Sequence, residues 1–78
     1  MSLSDELKAV KQRSLLTQED FAHILSVSPS TVNRWETSKA KPNVSTMKRV
    51  RAFCIENHIS YLKVENEWIN YPKENPND

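Results

Sequence analysis

Not one of the 78 residues is a glycine, and that absence narrows what the chain can fold into. Tight two-residue hairpins need backbone at positive φ, a region glycine enters without steric cost. A chain without glycine is steered away from hairpins, and before residue 59 no window alternates apolar and polar residues cleanly. Pro29, Pro42, Pro72 and Pro76 punctuate a sequence whose other signals are helical.

Those signals are local. Ser4 can cap a first helix, with Asp5 and Glu6 in its first turn, where the helix dipole favours anions. Leu7 and Val10 form its inner stripe, and Leu15 and Leu16 follow near its end. Thr17 opens a second helix through "TQED", a capping box with Asp20 where glutamate is usual. Phe21, Ala22 and Leu25 share one face of it. Ser28 caps a third helix with Pro29 at its first position, where a missing N–H costs nothing. Val32 and Trp35 face inward. The polar stretch from Thr37 to Pro42 reads as a loop, and Asn43 caps a fourth helix with Met47, Val50 and Cys54 as its buried stripe. In "ISYLKVENEWINY", Tyr61, Val64 and Trp68 have helical spacing, although alternation in a strand is also open; a fifth helix is favoured. The expected fold is all-α, a compact bundle of four to five short helices.

Seventy-eight residues make one small domain with no disulfide to staple it, because Cys54 is the only cysteine. A charged N-terminus and the lack of a long apolar run point to a cytoplasmic chain rather than an exported or membrane one. Asn43-Val44-Ser45 fits a glycosylation sequon and is read as chance. The net charge is only +1, but it is unevenly spread: +5 from Arg34 to Arg51 and −3 from Glu65 to Asp78. A basic centre suggests a polyanionic partner, and a merely solvated helix face explains the charge equally well.

The stretch "SVSPSTVNRWE" tips that balance. It places hydroxyls around one proline, then sets Asn33 and Arg34 beside an inward Trp35. Two short helices joined by about three residues form a helix-turn-helix, whose second helix enters the DNA major groove N-terminus first. Side chains there must be short or fork-shaped, able to hydrogen-bond, and backed by apolar residues. Pro29, Ser30, Asn33 and Arg34 fit the outer face; Val32 and Trp35 fit the backing.

With "LTQEDFAHIL", "VSPSTVNRWE" and "KAKPNVSTMKRV" in view, the chain from Leu7 to about Ile59 resembles the lambda repressor and Cro-like, or XRE-type, helix-turn-helix DNA-binding domains. The resemblance implies sequence-specific binding of double-stranded DNA by a transcriptional regulator, expected to be a repressor, with Pro29 to Glu36 as recognition helix. It assigns Pro29, Ser30, Asn33 and Arg34 to base edges, and Gln18, Ser28, Lys39 and Lys41 to phosphates. For Arg34, a phosphate is the rival partner. Glu36 matches a glutamate that pairs with a basic residue of the first helix, here Lys11. The chain departs from the family pattern where glycine is frequent, carrying Leu15, Ser26 and Ser38 instead, and positive φ is harder for those residues.

The chain then divides into residues 1–58, the DNA-binding domain; 59–71, a C-terminal helix or extension serving dimerisation; and 72–78, a disordered tail. In that division, Tyr61, Leu62, Val64, Trp68 and Ile69 are shared between the fourth helix and a partner chain, giving a homodimer. An antitoxin-type module that binds a toxin or other protein is the alternative, suggested by Tyr61, Trp68 and Tyr71. Cys54 and His58 stand four apart but lack further ligands, so no metal or cofactor is expected. With no glycine-rich phosphate loop and no nucleophile–base arrangement, the chain does not read as an enzyme.

Overall fold

The computed structural model describes residues 2–71 and is all-helical over that range. Its helices are α1 (Leu3–Arg13), α2 (Gln18–Leu25), α3 (Pro29–Glu36), α4 (Val44–Glu56) and α5 (Leu62–Ile69). Residues 59–71 thus hold a helix rather than a strand. The tail from Pro72 lies outside the described residues.

Short side chains start the first four helices. Ser2, Thr17, Ser28 and Asn43 each accept a hydrogen bond from the backbone N–H three residues on. Thr17 and Asp20 close the expected capping box, and Ser2 and Asp5 close another. The Ser2 N–H and hydroxyl hold the Asp5 carboxyl below its ordinary range. The cap of α1 is therefore Ser2, not Ser4. Ser4 sits inside the first turn, is buried, and donates its hydroxyl to the Glu36 carbonyl at 2.7 Å. Acidic residues stand within four positions after either serine, and the partner of the Ser4 hydroxyl is 32 residues away, which no cap pattern reveals.

Helix ends show how a chain without glycine turns. Leu15, Ser26, Ser38 and His58 all adopt positive φ, between 57° and 61°. In each case the next residue sends its N–H back five positions: Leu16 to Lys11, Val27 to Ala22, Lys39 to Arg34 and Ile59 to Cys54, at 2.8–3.1 Å. This is the Schellman ending, which usually recruits glycine for the left-handed residue. Leu16, Val27 and Ile59 then pack against the core, supplying the apolar contact that accompanies this motif. The glycine positions that the family resemblance flagged are thus left-handed here too, with leucine and serine bearing the steric cost.

The core lies between α1, α2, α3 and α4. Leu7, Val10, Phe21, Ala22, Leu25, Val32, Trp35, Met47, Val50 and Cys54 are buried, as their spacing requires. Leu3 and Phe53 join them; Phe53 meets Phe21 edge to face at 6.0 Å between centroids. Burial pushes the Cys54 thiol above its ordinary range. From α5 only Val64 is fully buried, with Tyr61, Trp68 and Tyr71 partly so. The helix packs chiefly against α1, not against α4 as its aromatic residues had suggested. Consecutive apolar stripes do not say which neighbour a terminal helix will choose.

Two outcomes follow for stability. Trp35→Ala is expected to cost about 3–5 kcal/mol in chemical denaturation, enough to unfold much of so small a domain. Leu15 is 91% exposed, so glycine there loses no packing. Leu15→Gly is expected to raise the melting temperature, since relief of about 1–2 kcal/mol of left-handed strain exceeds the roughly 0.5–1 kcal/mol of added chain freedom. A lower melting temperature would show that this turn is not strained.

Candidate DNA-binding interface

Two helices build the site: α2 lays its N-terminus against α3, which presents a divided surface. Val32, Trp35 and Glu36 are buried, while Pro29, Ser30, Asn33 and Arg34 are exposed. The division follows from an eight-residue helix packed on one side, since positions three and four apart share a face. Trp35 is 3% exposed, so it backs the helix.

A polar cluster fixes α3 to its neighbours. The Glu36 carboxylate receives the Lys11 ammonium, at 3.1 Å from Oε1 and 2.9 Å from Oε2. Gln18 Nε2 donates to the same Oε1 at 3.0 Å. The Ser4 hydroxyl takes the Glu36 main-chain carbonyl, so α1 holds the end of α3 by side chain and backbone. Only 7% of the Glu36 side chain and 14% of the Lys11 side chain is exposed, where an unpaired charge is costly. The expected pair of Lys11 with Glu36 forms, and Gln18 completes it.

Gln18 has a second partner. Its Nε2 also donates to Asn33 Oδ1 at 3.3 Å, on the exposed side of α3. The amide of Asn33 is thereby oriented from behind, with one oxygen lone pair and both N–H groups left for outside partners. At the start of α3 the Ser28 hydroxyl lies 3.2 Å from that of Ser30 and 2.9 Å from that of Thr31. No acidic residue stands in that first turn, so the positive end of the helix dipole is not neutralised. The Arg34 guanidinium and Lys39 are exposed.

Lys41 stands apart. Its ammonium donates to the carbonyls of Trp68 at 3.3 Å and Tyr71 at 3.2 Å, and lies 4.5 Å from the Trp68 ring centroid. The sequence pointed this lysine at phosphates, but it is turned toward α5. Arg49 lies within the basic stretch from Arg34 to Arg51, and its Nη1 donates to the Leu25 carbonyl at 3.3 Å, closing the end of α2 beside the turn. Ser4 and Arg49 were missed for one reason. Both bond distant main-chain carbonyls, which no residue pattern encodes.

This architecture is that of a helix-turn-helix domain: α2, a three-residue turn, and an outward-facing α3. The helix-turn-helix family model matches residues 7–54, and the chain belongs to that XRE-type helix-turn-helix family. Among curated proteins it is similar to the HTH-type transcriptional activator BcrR of Enterococcus faecalis, 32% identical over 53 residues. That match takes in 68% of this chain but spans about a quarter of the relative, 26%. No solved structure matches the chain significantly. Among the described residues, no helix is long and apolar enough to cross a membrane.

The polar cluster has a measurable signature. Glu36→Ala strands the Lys11 ammonium and is expected to cost about 3–5 kcal/mol in urea denaturation. Lys11→Met combined with Glu36→Leu is expected to cost clearly less than the two single changes summed. Additive losses would mean that the two side chains are not energetically coupled.

Proposed function

We propose that the chain binds double-stranded DNA sequence-specifically as a transcriptional regulator, with α3 in the major groove. The observation that carries this reading is the Gln18 bridge. One amide ties the outward Asn33 to the buried Glu36, so a base-reading group is held by the scaffold rather than left to swing. Asn33 keeps an acceptor and donors on its outer side, the set that pairs with the N6 and N7 edge of adenine. Ser30 and Arg34 share its exposed face and extend the readout, and Pro29 offers an apolar contact. Ser28 and Gln18, at two helix N-termini, are suited to phosphates. Lys39 is the loop cation proposed to meet a phosphate, because the ammonium of Lys41 is already engaged.

The proposed direction is repression, which needs only occupancy of a promoter. The Enterococcus relative is named an activator, so a reporter assay decides the sign. A homodimer is proposed because one short recognition helix spans few base pairs, and twofold pairs set two such helices about 34–36 Å apart on the duplex. Leu62 and Ile69, 67% and 61% exposed, are the α5 side chains left to serve it. The antitoxin-type alternative has less support. Tyr61, Trp68 and Tyr71, which suggested a protein partner, pack partly onto this chain's own core.

Affinity for duplex DNA is expected to fall steeply with salt, log K changing by about −0.9 per phosphate neutralised for each unit of log salt. Salt-independent binding would count against the reading. Asn33→Ala is expected to erode preference for a selected site by about 1–3 kcal/mol while sparing affinity for random duplex. Equal losses on both would remove Asn33 from the bases.

A further inference from the structure

Helix α5 lies beyond residue 54, where the family match ends. Its C-terminal end is bonded in both directions to the loop that follows α3. Trp68 Nε1 donates to the Pro42 carbonyl at 2.6 Å, and the Tyr71 hydroxyl donates to the Ser38 carbonyl at 3.1 Å. In return Lys41 donates to the Trp68 and Tyr71 carbonyls and lies over the Trp68 ring. No basic residue stands in the last turn of α5, so Lys41 supplies the cation that a helix C-terminus favours. The other end of the loop is tied to α3: the Lys39 N–H reaches the Arg34 carbonyl at 2.8 Å, and the Ser38 N–H reaches Trp35 at 3.2 Å.

Lys39 therefore sits in a segment pinned on one side by the recognition helix and on the other by α5. A lysine side chain is long and flexible, so it delivers a phosphate contact cheaply only if its backbone is already in place. We propose that Trp68, Tyr71 and Lys41 are positioning residues for DNA binding, a latch that sets the loop so that Lys39 meets a phosphate. Within it, Lys41 is the cation of the latch and not a phosphate ligand. The proposal rests on the DNA-binding reading above.

The test uses the full chain, a duplex selected from a random pool, and affinity measured across salt concentrations, with thermal melts alongside. The paired change Trp68→Phe and Tyr71→Phe deletes two donors, keeps an aromatic ring at each position and alters no charge. It is expected to weaken binding at least about twofold to tenfold. It should also lower the salt slope toward the loss of about 0.9 that Lys39→Ala produces. Added to Lys39→Ala, the paired change should lower the slope no further, because the same phosphate contact is already gone. A simple loss of folded protein would leave the slope unchanged. If the pair melts below the assay temperature, Tyr71→Phe alone, which removes one hydroxyl at the surface, gives the same readout. A wild-type slope and affinity in these variants would overturn the latch. So would Lys41→Met lowering the slope by a further 0.9 or so in the Lys39→Ala background, since Lys41 would then be a phosphate ligand itself. If the wild-type chain binds no duplex at low salt, the DNA reading fails and the latch falls with it. Wild-type binding with indifferent latch variants sinks the latch alone.

Discussion

The carboxylate of Glu36 holds the arrangement together. It sits at the last position of α3, nearly sealed from water, and is reached by an ammonium from α1 and an amide from α2. A buried carboxylate is tolerable only when its charge is paired, so three helices must meet at one angle for the ammonium and the amide to reach it. That requirement adds direction to a core whose apolar packing is comparatively forgiving. The Ser4 hydroxyl on the Glu36 carbonyl reinforces it from the backbone side. What faces outward from α3 is then a consequence of what has been anchored inward.

The same chemistry links scaffold to surface through one side chain. Gln18 belongs to α2 but spends its amide on α3, once on the buried Glu36 and once on the exposed Asn33. The separation between a structural residue and a proposed binding residue is narrow here. An alteration at position 18 would disturb both the seating of the recognition helix and the presentation of its central amide.

How much of this was legible in the sequence depended on the range of the interaction. Caps at Thr17, Ser28 and Asn43, the proline at the start of α3, and the stripes of α2, α3 and α4 all arise from contacts within a turn or two, and each was readable from spacing. The Lys11–Glu36 pair was readable too, but only through family resemblance, since 25 residues separate the partners. The bonds of Ser4, Arg49 and Lys41 were not foreseen, because each reaches a carbonyl brought near by the tertiary fold. Backbone acceptors are alike at every residue, so the sequence carries no mark of which will be chosen. The choice of α1 rather than α4 as the chief neighbour of α5 was hidden for a related reason: an apolar stripe says that a face is buried, not against what.

The short connections between helices also bear on how quickly the fold can form. From α1 to α4 no link is longer than the seven residues between α3 and α4, and α2 and α3 close on each other across residues 26–28. Contacts of that kind need little loop closure, the condition under which small helical domains assemble in microseconds to milliseconds. The bonds from residues 38–42 to residues 68–71 are different, since they enclose some thirty residues of chain. Their closure needs α4 and α5 to bring the chain back to the loop, with α5 packed chiefly on α1. The helix-turn-helix unit can thus be in place before its C-terminal fastening closes, and that fastening is also the part most readily opened without dismantling the core.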